Sequence, residues 1–222
     1  MDSLARCQLY AILDLGYVAP GDAAAVTAEL IRGGADVIQL RGKSQTIAEL
    51  TRLADELHGL TSHAGVPLII NDHPEIARDL PVEGLHLGQD DLAIPAARAI
   101  VGRDCGVGKS THSLAEAIAA VAEGADYIGF GPVFATPTKP DYRAIGLGQI
   151  RRVHEQVQIP IFCIGGIKIE NLSDVLAAGA TRVVIVSGLL QGKDVAAATR
   201  AAKQLLEQNQ KSVRLRRISN QQ

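Results

Sequence analysis

Cysteine is scarce in this sequence, and its distribution argues against a domain held together by disulfides. The three cysteines are far apart and odd in number, which disfavours both a disulfide framework and a zinc site. Cys7, Cys105 and Cys163 each lie in or beside an apolar, strand-like run. We interpret them as small buried hydrophobic residues, with a catalytic thiol as the less favoured alternative.

Long apolar runs and an excess of one charge are also absent. No stretch approaches the roughly 18 apolar residues of a membrane span, and Met1 to Arg6 lack the apolar region of a signal peptide. The 22 basic and 24 acidic residues leave a formal charge of −2, which favours neither nucleic acid nor an acidic membrane surface. We therefore expect a cytosolic protein that binds small polar metabolites, with homo-oligomerisation left open.

Strands and helices alternate along the chain. A length of 222 residues with 47% apolar content suits one large α/β barrel or two small domains. Eight strand-like runs alternate with helical stretches, which favours a single (β/α)₈ TIM barrel over an open sheet. The predicted strands are 8–14, 37–41, 68–71, 84–87, 106–109, 127–130, 160–164 and 183–186.

The catalytic domain is assigned to residues 1–208. After Leu206 the apolar pattern decays, so we expect residues 209–222 to form a disordered polar and basic tail. A nucleic-acid-binding arm is less favoured there, because no aromatic residue accompanies the arginines. Residues 131–147 contain three prolines and are expected to form either a mobile flap or an ordinary surface loop.

Glycines follow the last two predicted strands. Gly165 and Gly166 come after the seventh, and Ser187 and Gly188 after the eighth. In barrels the loops after these strands often bind phosphate, because bare backbone approaches the anion and a helix N-terminus supplies N–H donors. We therefore predict a phosphate site, with a simple tight turn as the alternative.

A second anion site is predicted from the ends of other strands. Arg41, Lys43 and Lys139 are cations that would converge over the barrel mouth, and Asp72 and Asp91 are carboxylates at neighbouring strand ends. Mg²⁺ commonly takes one or two carboxylates and fills its other positions with water and phosphate oxygens. The set indicates a magnesium–pyrophosphate site, whereas any one of these residues alone would be an ordinary solvated charge.

Two histidines lie near these clusters. We interpret His86, inside a strand, as a hydrogen-bonded core residue rather than a metal ligand, while His112, close to Ser110, could serve as an acid or base. Nucleotide motifs are missing: Arg103 stands where a P-loop needs its first glycine, and no dinucleotide fingerprint follows the first strand. Two unequal phosphate sites thus imply two phosphorylated ligands, one with a metal-assisted leaving pyrophosphate.

From about Leu9 to Leu190 the chain resembles the thiamine-phosphate synthase family. The similarity rests on an ordered series of motifs: Gln39-Leu40-Arg41-x-Lys43, Asn71-Asp72, His86-x-Gly88-Gln89-x-Asp91, Gly108-x-Ser110-Thr111-His112, Gly131-Pro132-Val133-Phe134-x-Thr136-x-Thr138-Lys139, Ile164-Gly165-Gly166-Ile167 and Val186-Ser187. The resemblance implies that the protein joins hydroxymethylpyrimidine pyrophosphate to a thiazole phosphate, or to its carboxylated form. The products would be thiamine phosphate and pyrophosphate, formed through a dissociative displacement.

The resemblance also implies roles for individual residues. Asp72 and Asp91 would bind Mg²⁺, Ser110 would face the pyrimidine, and Lys139, Ser110 and Arg41 would be catalytic. The pyrophosphate end would be bound by Gln39, Leu40, Arg41, Gly42, Lys43, Asn71 and Lys139. The thiazole phosphate would be bound by Thr136, Pro137, Thr138, Gly165, Gly166, Val186 and Ser187.

The sequence departs from the family pattern at three positions and leaves two other functions open. Gly42 replaces an acidic residue, Ala135 replaces a proline, and Lys109 stands where a small or apolar residue, or an arginine, is usual. A related thiazole tautomerase shares the segment around His112, but it resembles this chain less at Gln39 and at the two metal carboxylates. A non-catalytic thiamine- or phosphate-binding regulatory protein would need no such carboxylates.

Overall fold

The computed structural model describes residues 4–136 and 143–219, and in these ranges eight parallel strands close into a barrel in chain order. The strands are β1 Leu9–Asp14, β2 Val37–Arg41, β3 Leu68–Asn71, β4 Gly84–Leu87, β5 Gly106–Thr111, β6 Tyr127–Phe130, β7 Ile161–Cys163 and β8 Val183–Ile185. The helices are α1 Ala23–Gly33, α2 Ile47–Ala64, α3 Pro74–Asp79, α4 Ile94–Val101, α5 Leu114–Ala122, α6 Gly148–Gln156, α7 Ile169–Ala177, α8 Ser187–Leu190 and α9 Val195–Ser219. The predicted (β/α)₈ TIM barrel is confirmed. No helix in the described ranges is long and apolar enough to cross a bilayer.

Local sequence signals determine several helix ends. The Thr46 hydroxyl accepts from the backbone N–H of Glu49, whose carboxylate in turn accepts from the backbone N–H of Thr46, so α2 starts with a capping box. Gly34, Gly124 and Gly179 follow α1, α5 and α7 with φ of 92°, 92° and 109°, values that side chains with a Cβ rarely adopt.

Strand β5 is longer than the apolar pattern predicts. It continues to Thr111, because Ser110 pairs with Gly129 and Thr111 with Phe130 of β6. The Thr111 hydroxyl also donates to the Gly129 carbonyl at 2.9 Å. Ser110 therefore lies within a strand rather than in the loop after it, and the sheet fixes its side chain toward the barrel interior.

The barrel has two apolar layers because side chains alternate between the faces of each strand. Outward residues pack under the helices, and inward residues form a smaller cluster around three aromatic rings. Phe162 makes edge-on contacts with Tyr10 and Tyr127, at centroid distances of 5.3 Å and 5.9 Å. This aromatic layer is the floor beneath the carboxyl ends of the strands.

Glycine on β5 makes room for this floor. A Cβ added at Gly108 would lie 2.1 Å from Cζ of Tyr127. We expect Gly108→Ala to lower the free energy of unfolding by about 1–3 kcal/mol, since overpacking a full core forces rings off their rotamers. Gly59→Ala is the matched control, because Gly59 is exposed in α2 with no atom within 4 Å of the added Cβ.

Urea denaturation of both variants measures this difference. Gly59→Ala should raise stability by up to about 1 kcal/mol, the difference in helix propensity between the two residues. Equal stabilities for the two variants would contradict the packing assigned to Gly108.

Helix α9 extends further than the sequence predicts. Its backbone is helical to Ser219, whereas the decay of the apolar pattern predicts a disordered tail from 209. Glutamine, lysine and arginine have good helix propensity, so the helix propagates after its apolar face has ended. Among the α9 side chains whose burial the structure describes, Leu206 is the last buried one, whereas Val213 and Leu215 are 42% and 66% exposed.

Truncation after Gln210 is expected to leave folding and catalysis nearly unchanged, because the side chains of residues 211–213 and Leu215 are exposed. The melting temperature should shift by less than about 2 °C, which corresponds to under 1 kcal/mol in a domain of this size. Truncation after Gln204 is the contrasting variant, because it removes Leu206 and opens the core. A large loss of stability or rate on truncation after Gln210 would reveal a function for the helix end, such as an oligomer contact.

Candidate active site

A cavity that is open to solvent lies at the carboxyl ends of the strands. The carboxyl end of a parallel barrel is the usual place for a small-molecule ligand, and all eight strands or the residues directly after them contribute to the wall of this cavity. The wall includes many of the sequence-predicted site residues, namely Gln39, Arg41, Asn71, Ser110, Thr136, Gly165, Gly166, Val186 and Ser187. The tertiary structure therefore brings together positions that are up to about 150 residues apart.

A buried carboxylate orients Arg41. Asp14 is 3% exposed and pairs with Arg41 in the register of β1 and β2. Its Oδ2 accepts from Arg41 Nη1 at 2.5 Å, and its Oδ1 accepts from the Gly16 N–H at 2.9 Å. Asp14 was missed by sequence reasoning, although its inward position at the end of β1 is a usable signal. Because Asp14 restrains the guanidinium, Arg41 faces the cavity in one fixed orientation.

Asp72 and Asp91 lie together at the ends of β3 and β4. Lys43 donates to Asp72 Oδ2, and Asp91 Oδ2 accepts from the Gly88 N–H at 2.6 Å. Burial and the neighbouring Asp72 raise the pKa of Asp91. Burial also acts to raise the pKa of Asp72, but contacts with Asp91, Lys43 and Arg41 outweigh it and lower that pKa. Two carboxyl groups in contact with each other favour a shared proton or cation, because both cannot easily carry a negative charge.

The backbone at Asp72 is in a rare conformation. Its φ is 65°, the one positive value on a non-glycine residue in the described ranges. Such a conformation costs of order 1–3 kcal/mol for most residues and is commonly retained at functional sites. Here it turns the chain after β3, and the Asp72 N–H donates to the His86 carbonyl at 2.9 Å.

The residues present fit a Mg²⁺ ion. Paired carboxylates supply the hard oxygen ligands that Mg²⁺ prefers, and the nearby cations would bind the remaining charge of a phosphorylated ligand. In the described ranges no group of three or more histidine, cysteine or acidic side chains could hold a metal ion. An ion at this pair would therefore complete its coordination with water and ligand oxygens.

The loop after β7 requires its glycines. Gly165 and Gly166 have φ of 99° and 64°. A Cβ on Gly165 would lie 2.4 Å from Cα of Pro132, and one on Gly166 would lie 2.7 Å from Cβ of Phe134. Close packing against the segment after β6 therefore explains both glycines, and it leaves bare backbone facing the cavity. Helix α8 begins directly at Ser187, also on the cavity wall.

His112 anchors the same segment from the opposite side. Its Nδ1 contacts the Gly131 carbonyl, which can only accept, so in the neutral ring Nδ1 carries the proton. The backbone N–H of His112 donates to Glu116 at 2.7 Å. His112 thus has a structural contact in addition to its position on the cavity wall.

Several predicted positions do not line the cavity, and Lys43, Asp72 and Asp91 lie beside Arg41 without forming part of the cavity wall. Leu40 packs in the apolar layer outside the barrel, and the side chain of Lys109, which is 7% exposed, is on the outer face of β5. Gly42 is buried, and a Cβ there would lie 2.6 Å from Gln45 Oε1 and 2.7 Å from Leu50 Cδ2. The departures at Gly42 and Lys109 therefore change packing and not the cavity surface.

Three predicted residues lie outside the described ranges: Pro137, Thr138 and Lys139. Ala135, the third departure from the family pattern, is exposed beside Thr136. The structure thus positions the first residue of the Thr-x-Thr-Lys motif only.

Comparison with known proteins identifies relatives across nearly the whole chain. The family described as Thiamine monophosphate synthase matches residues 9–189. The chain is 43% identical over 204 residues to a thiamine-phosphate synthase of Chloroflexus aurantiacus, covering 91% of this chain and 94% of that one. It is also 43% identical over 202 residues to one of Methanospirillum hungatei, covering 90% and 98%. The solved structure of a thiamine phosphate pyrophosphorylase from Pyrococcus furiosus superposes with a TM-score of 0.85 at 32% identity, covering 93% and 98%.

Proposed function

This chain belongs to the thiamine monophosphate synthase family, and from that premise we propose how its cavity joins two phosphorylated substrates. The protein is a transferase that makes thiamine phosphate. The substrates in this proposal are 4-amino-2-methyl-5-hydroxymethylpyrimidine pyrophosphate and 4-methyl-5-(2-phosphoethyl)thiazole or its carboxylated form. The products are thiamine phosphate and pyrophosphate, together with carbon dioxide when the thiazole is carboxylated.

The observation that carries the proposal is the division of one cavity into two unlike ends. Arg41 lies at one end, beside Lys43 and the carboxylate pair Asp72 and Asp91. Among the residues that the structure describes, the other end carries no charge and consists of the glycine loop after β7 and the start of α8. A pyrophosphate leaving group, which carries several negative charges, needs the first end, and a single phosphate that only has to be bound suits the second.

At the charged end the chain's own residues bind and orient the pyrophosphate. Arg41, already fixed by Asp14, would donate to its oxygens, and Asn71 on the cavity wall would supply an amide donor. Lys43 would exchange its contact with Asp72 for the pyrophosphate. Asp72 and Asp91 would hold a Mg²⁺ ion, whose positive charge would favour departure of this group.

The bond that breaks joins the pyrimidine methylene carbon to pyrophosphate oxygen, and the bonding electrons leave with the pyrophosphate. The ring nitrogen of the thiazole then donates an electron pair to the cationic carbon, forming the new C–N bond. Gly166, Ser187 and Thr136 would hold the thiazole phosphate so that this nitrogen faces the carbon. No proton leaves either substrate in this displacement, which agrees with a histidine, His112, whose ring is engaged in a backbone contact.

We assign the enzyme to the cytosol. Its three cysteines are buried thiols that form no disulfide in the described ranges, as is typical of a protein in a reducing compartment. Burial raises the pKa of Cys7 and of Cys105 to about 11, and that of Cys163 to about 12, so none is an activated nucleophile.

A turnover assay with both substrates tests the proposed function. The purified protein with Mg²⁺ should release pyrophosphate and form thiamine phosphate in a 1:1 ratio, detected by enzyme-coupled absorbance and by chromatography. A thiazole tautomerase would isomerise its thiazole substrate without pyrophosphate release, and a binding protein would bind ligand without product. Either result would contradict the proposal.

A further inference from the structure

A continuous chain of hydrogen bonds crosses the floor of the cavity. Gln39 Nε2 donates to the Tyr10 hydroxyl at 2.7 Å, and the hydroxyls of Tyr10 and Tyr127 are 3.4 Å apart. His86 Nδ1 lies 3.2 Å from the Tyr127 hydroxyl, and His86 Nε2 lies 3.0 Å from Ser110 Oγ. The chain therefore begins and ends on cavity-wall residues, Gln39 and Ser110.

The middle of this chain is closed to water. Tyr10 is 1% exposed, Tyr127 is fully buried, and Gln39 is 1% exposed. Buried polar groups must find their partners within the protein, since an unmade hydrogen bond costs about 1–3 kcal/mol there. Burial also raises the pKa of both tyrosine hydroxyls, so each keeps its single proton. Each hydroxyl thus donates once along the chain.

The amide end gives the chain a direction. An amide N–H can only donate, so the Tyr10 oxygen accepts from Gln39 and the Tyr10 proton is directed to Tyr127. The Tyr127 proton is then directed to His86 Nδ1, which places the ring proton on Nε2. Nε2 donates to Ser110 Oγ, and the Ser110 proton is left to donate into the cavity.

The two ends consequently offer opposite groups to a ligand. Gln39 Oε1 is buried without a hydrogen-bond partner among the described residues, so it can accept a hydrogen bond from a ligand. Its place on the buried floor suits the pyrimidine ring, in contrast to the pyrophosphate contact that the family resemblance implies. The Ser110 hydroxyl can donate a hydrogen bond to an acceptor on the ligand. An aminopyrimidine has both complements, an exocyclic amino group that donates and ring nitrogens that accept.

We propose that Tyr10, Tyr127 and His86 are positioning residues that hold Gln39 as an acceptor and Ser110 as a donor, and so select an amino- over an oxopyrimidine ring. This assignment rests on the proposed function, because the aminopyrimidine is its substrate. An oxopyrimidine carries an acceptor in place of the amino group and a proton on the adjacent ring nitrogen. Against the same chain it places acceptor against acceptor at Gln39.

The decisive variant is Tyr127→Phe, which removes one hydroxyl and retains the ring against Phe162. It breaks the chain at its centre, so the amide and the serine lose their fixed roles. Tyr10→Phe tests the same chain from the other side. Thr199→Val is the control, because it removes a fully buried hydroxyl on α9, where Thr199 bonds to the Val195 carbonyl.

The measurement is the dissociation constant, by calorimetry without the thiazole substrate, of the aminopyrimidine pyrophosphate and of its 4-oxo analogue. The unmodified protein should bind the amino compound at least about 100-fold more tightly, because the analogue leaves buried groups unpaired. Tyr127→Phe and Tyr10→Phe should each reduce that ratio by about 10-fold or more, the effect of one lost buried hydrogen bond. Thr199→Val should leave the ratio unchanged, and melting temperatures establish that each variant is folded.

Three results would overturn the inference. Equal weakening of both ligands by Tyr127→Phe and Tyr10→Phe would mean that the tyrosines only support the fold. Tighter binding of the oxo compound by the unmodified protein would mean that the chain runs in the opposite direction. Equal binding of both compounds by the unmodified protein would mean that it does not select the amino- over the oxopyrimidine.

Binding is measured apart from turnover, so this inference and the proposed function fail separately. A protein that selects the aminopyrimidine but releases no pyrophosphate in the complete assay would contradict the function and retain the hydrogen-bond chain. A protein that turns over the amino- and the oxopyrimidine equally would contradict the role of the hydrogen-bond chain and retain the proposed function.

Discussion

Replacing Asp91 by asparagine is expected to lower the turnover rate by roughly 10²–10⁴-fold. Asp91 and Asp72 are the carboxylates adjacent to the cations at the charged end of the cavity, and a bound metal there is worth several kcal/mol of charge stabilisation, each 1.4 kcal/mol being a factor of ten in rate. Asp72→Asn should have an effect of similar size. Asparagine keeps the shape of each side chain while removing its charge.

The choice of substitution matters at Asp72. Its φ of 65° is tolerated by asparagine and aspartate better than by alanine, so Asp72→Ala would add backbone strain to the loss of a ligand. Asp91→Ala has no such complication, although it removes the acceptor of the Gly88 N–H. The sequence alone predicts that alanine at either position costs little stability, and the structure restricts that prediction to Asp91.

Single-turnover rates over a series of Mg²⁺ concentrations provide the measurement. Asp90→Asn is the control, because Asp90 is exposed in the loop after β4 and this substitution removes the same charge as Asp91→Asn. The variants at Asp72 and Asp91 should need more Mg²⁺ for half-maximal rate, whereas Asp90→Asn should behave as the unmodified enzyme. Full turnover in excess chelator would contradict the assignment of a metal to Asp72 and Asp91.

Lys139→Ala should lower turnover by roughly 10²–10³-fold while changing the affinity for thiazole phosphate much less. The reason is that charge develops on the departing pyrophosphate chiefly in the transition state, and removing one preorganised donor from such a charge costs about 3–4 kcal/mol. His112→Ala should be milder, within about 10-fold, because a dissociative displacement makes little demand on a general base. The His112 contact with Gly131 predicts a loss of stability of about 1 kcal/mol instead.

The order of these two effects discriminates between functions. Single-turnover rates with both substrates, and the dissociation constant of thiazole phosphate, are measured for each variant. Lys211→Ala, an exposed lysine on α9, controls for loss of one positive charge. A defect at His112 larger than that at Lys139 would favour proton transfer, the chemistry of a thiazole tautomerase, and would overturn the assignment of Lys139.

The predicted positions of the strands succeeded where the pattern was local. Strands β2, β3, β4 and β6 have the predicted bounds, because a short apolar run between polar clusters is a complete description of a buried parallel strand. The end of β5 was mispredicted because it does not depend on a local sequence signal. Its last residues are polar and are held by pairing with β6, a partner that no periodicity identifies.

The candidate site divides in the same way. Arg41 and Gly166 were predicted at the site and do line the cavity, because polar or glycine residues directly follow apolar runs and strand ends meet on one face of a barrel. The roles of Asp72 and Asp91 stay predictions. Asp14 was missed because it ends a strand as one residue in an apolar context. Tyr10 and Tyr127 were missed because an aromatic residue inside an apolar run indicates packing, and its hydroxyl partner is 117 residues away.

The sequence by itself determined the barrel and several of the residues that line its mouth, because the alternation of strands and helices and the polar residues at strand ends are local features of the chain. Only the tertiary structure decided which of those residues act together. The pairing of Asp14 with Arg41, the contact of Asp72 with Asp91, and the chain from Gln39 to Ser110 all join different strands. Closure of the sheet sets those distances, and the absence of Cβ at Gly108 leaves the space in which Tyr127 completes the chain.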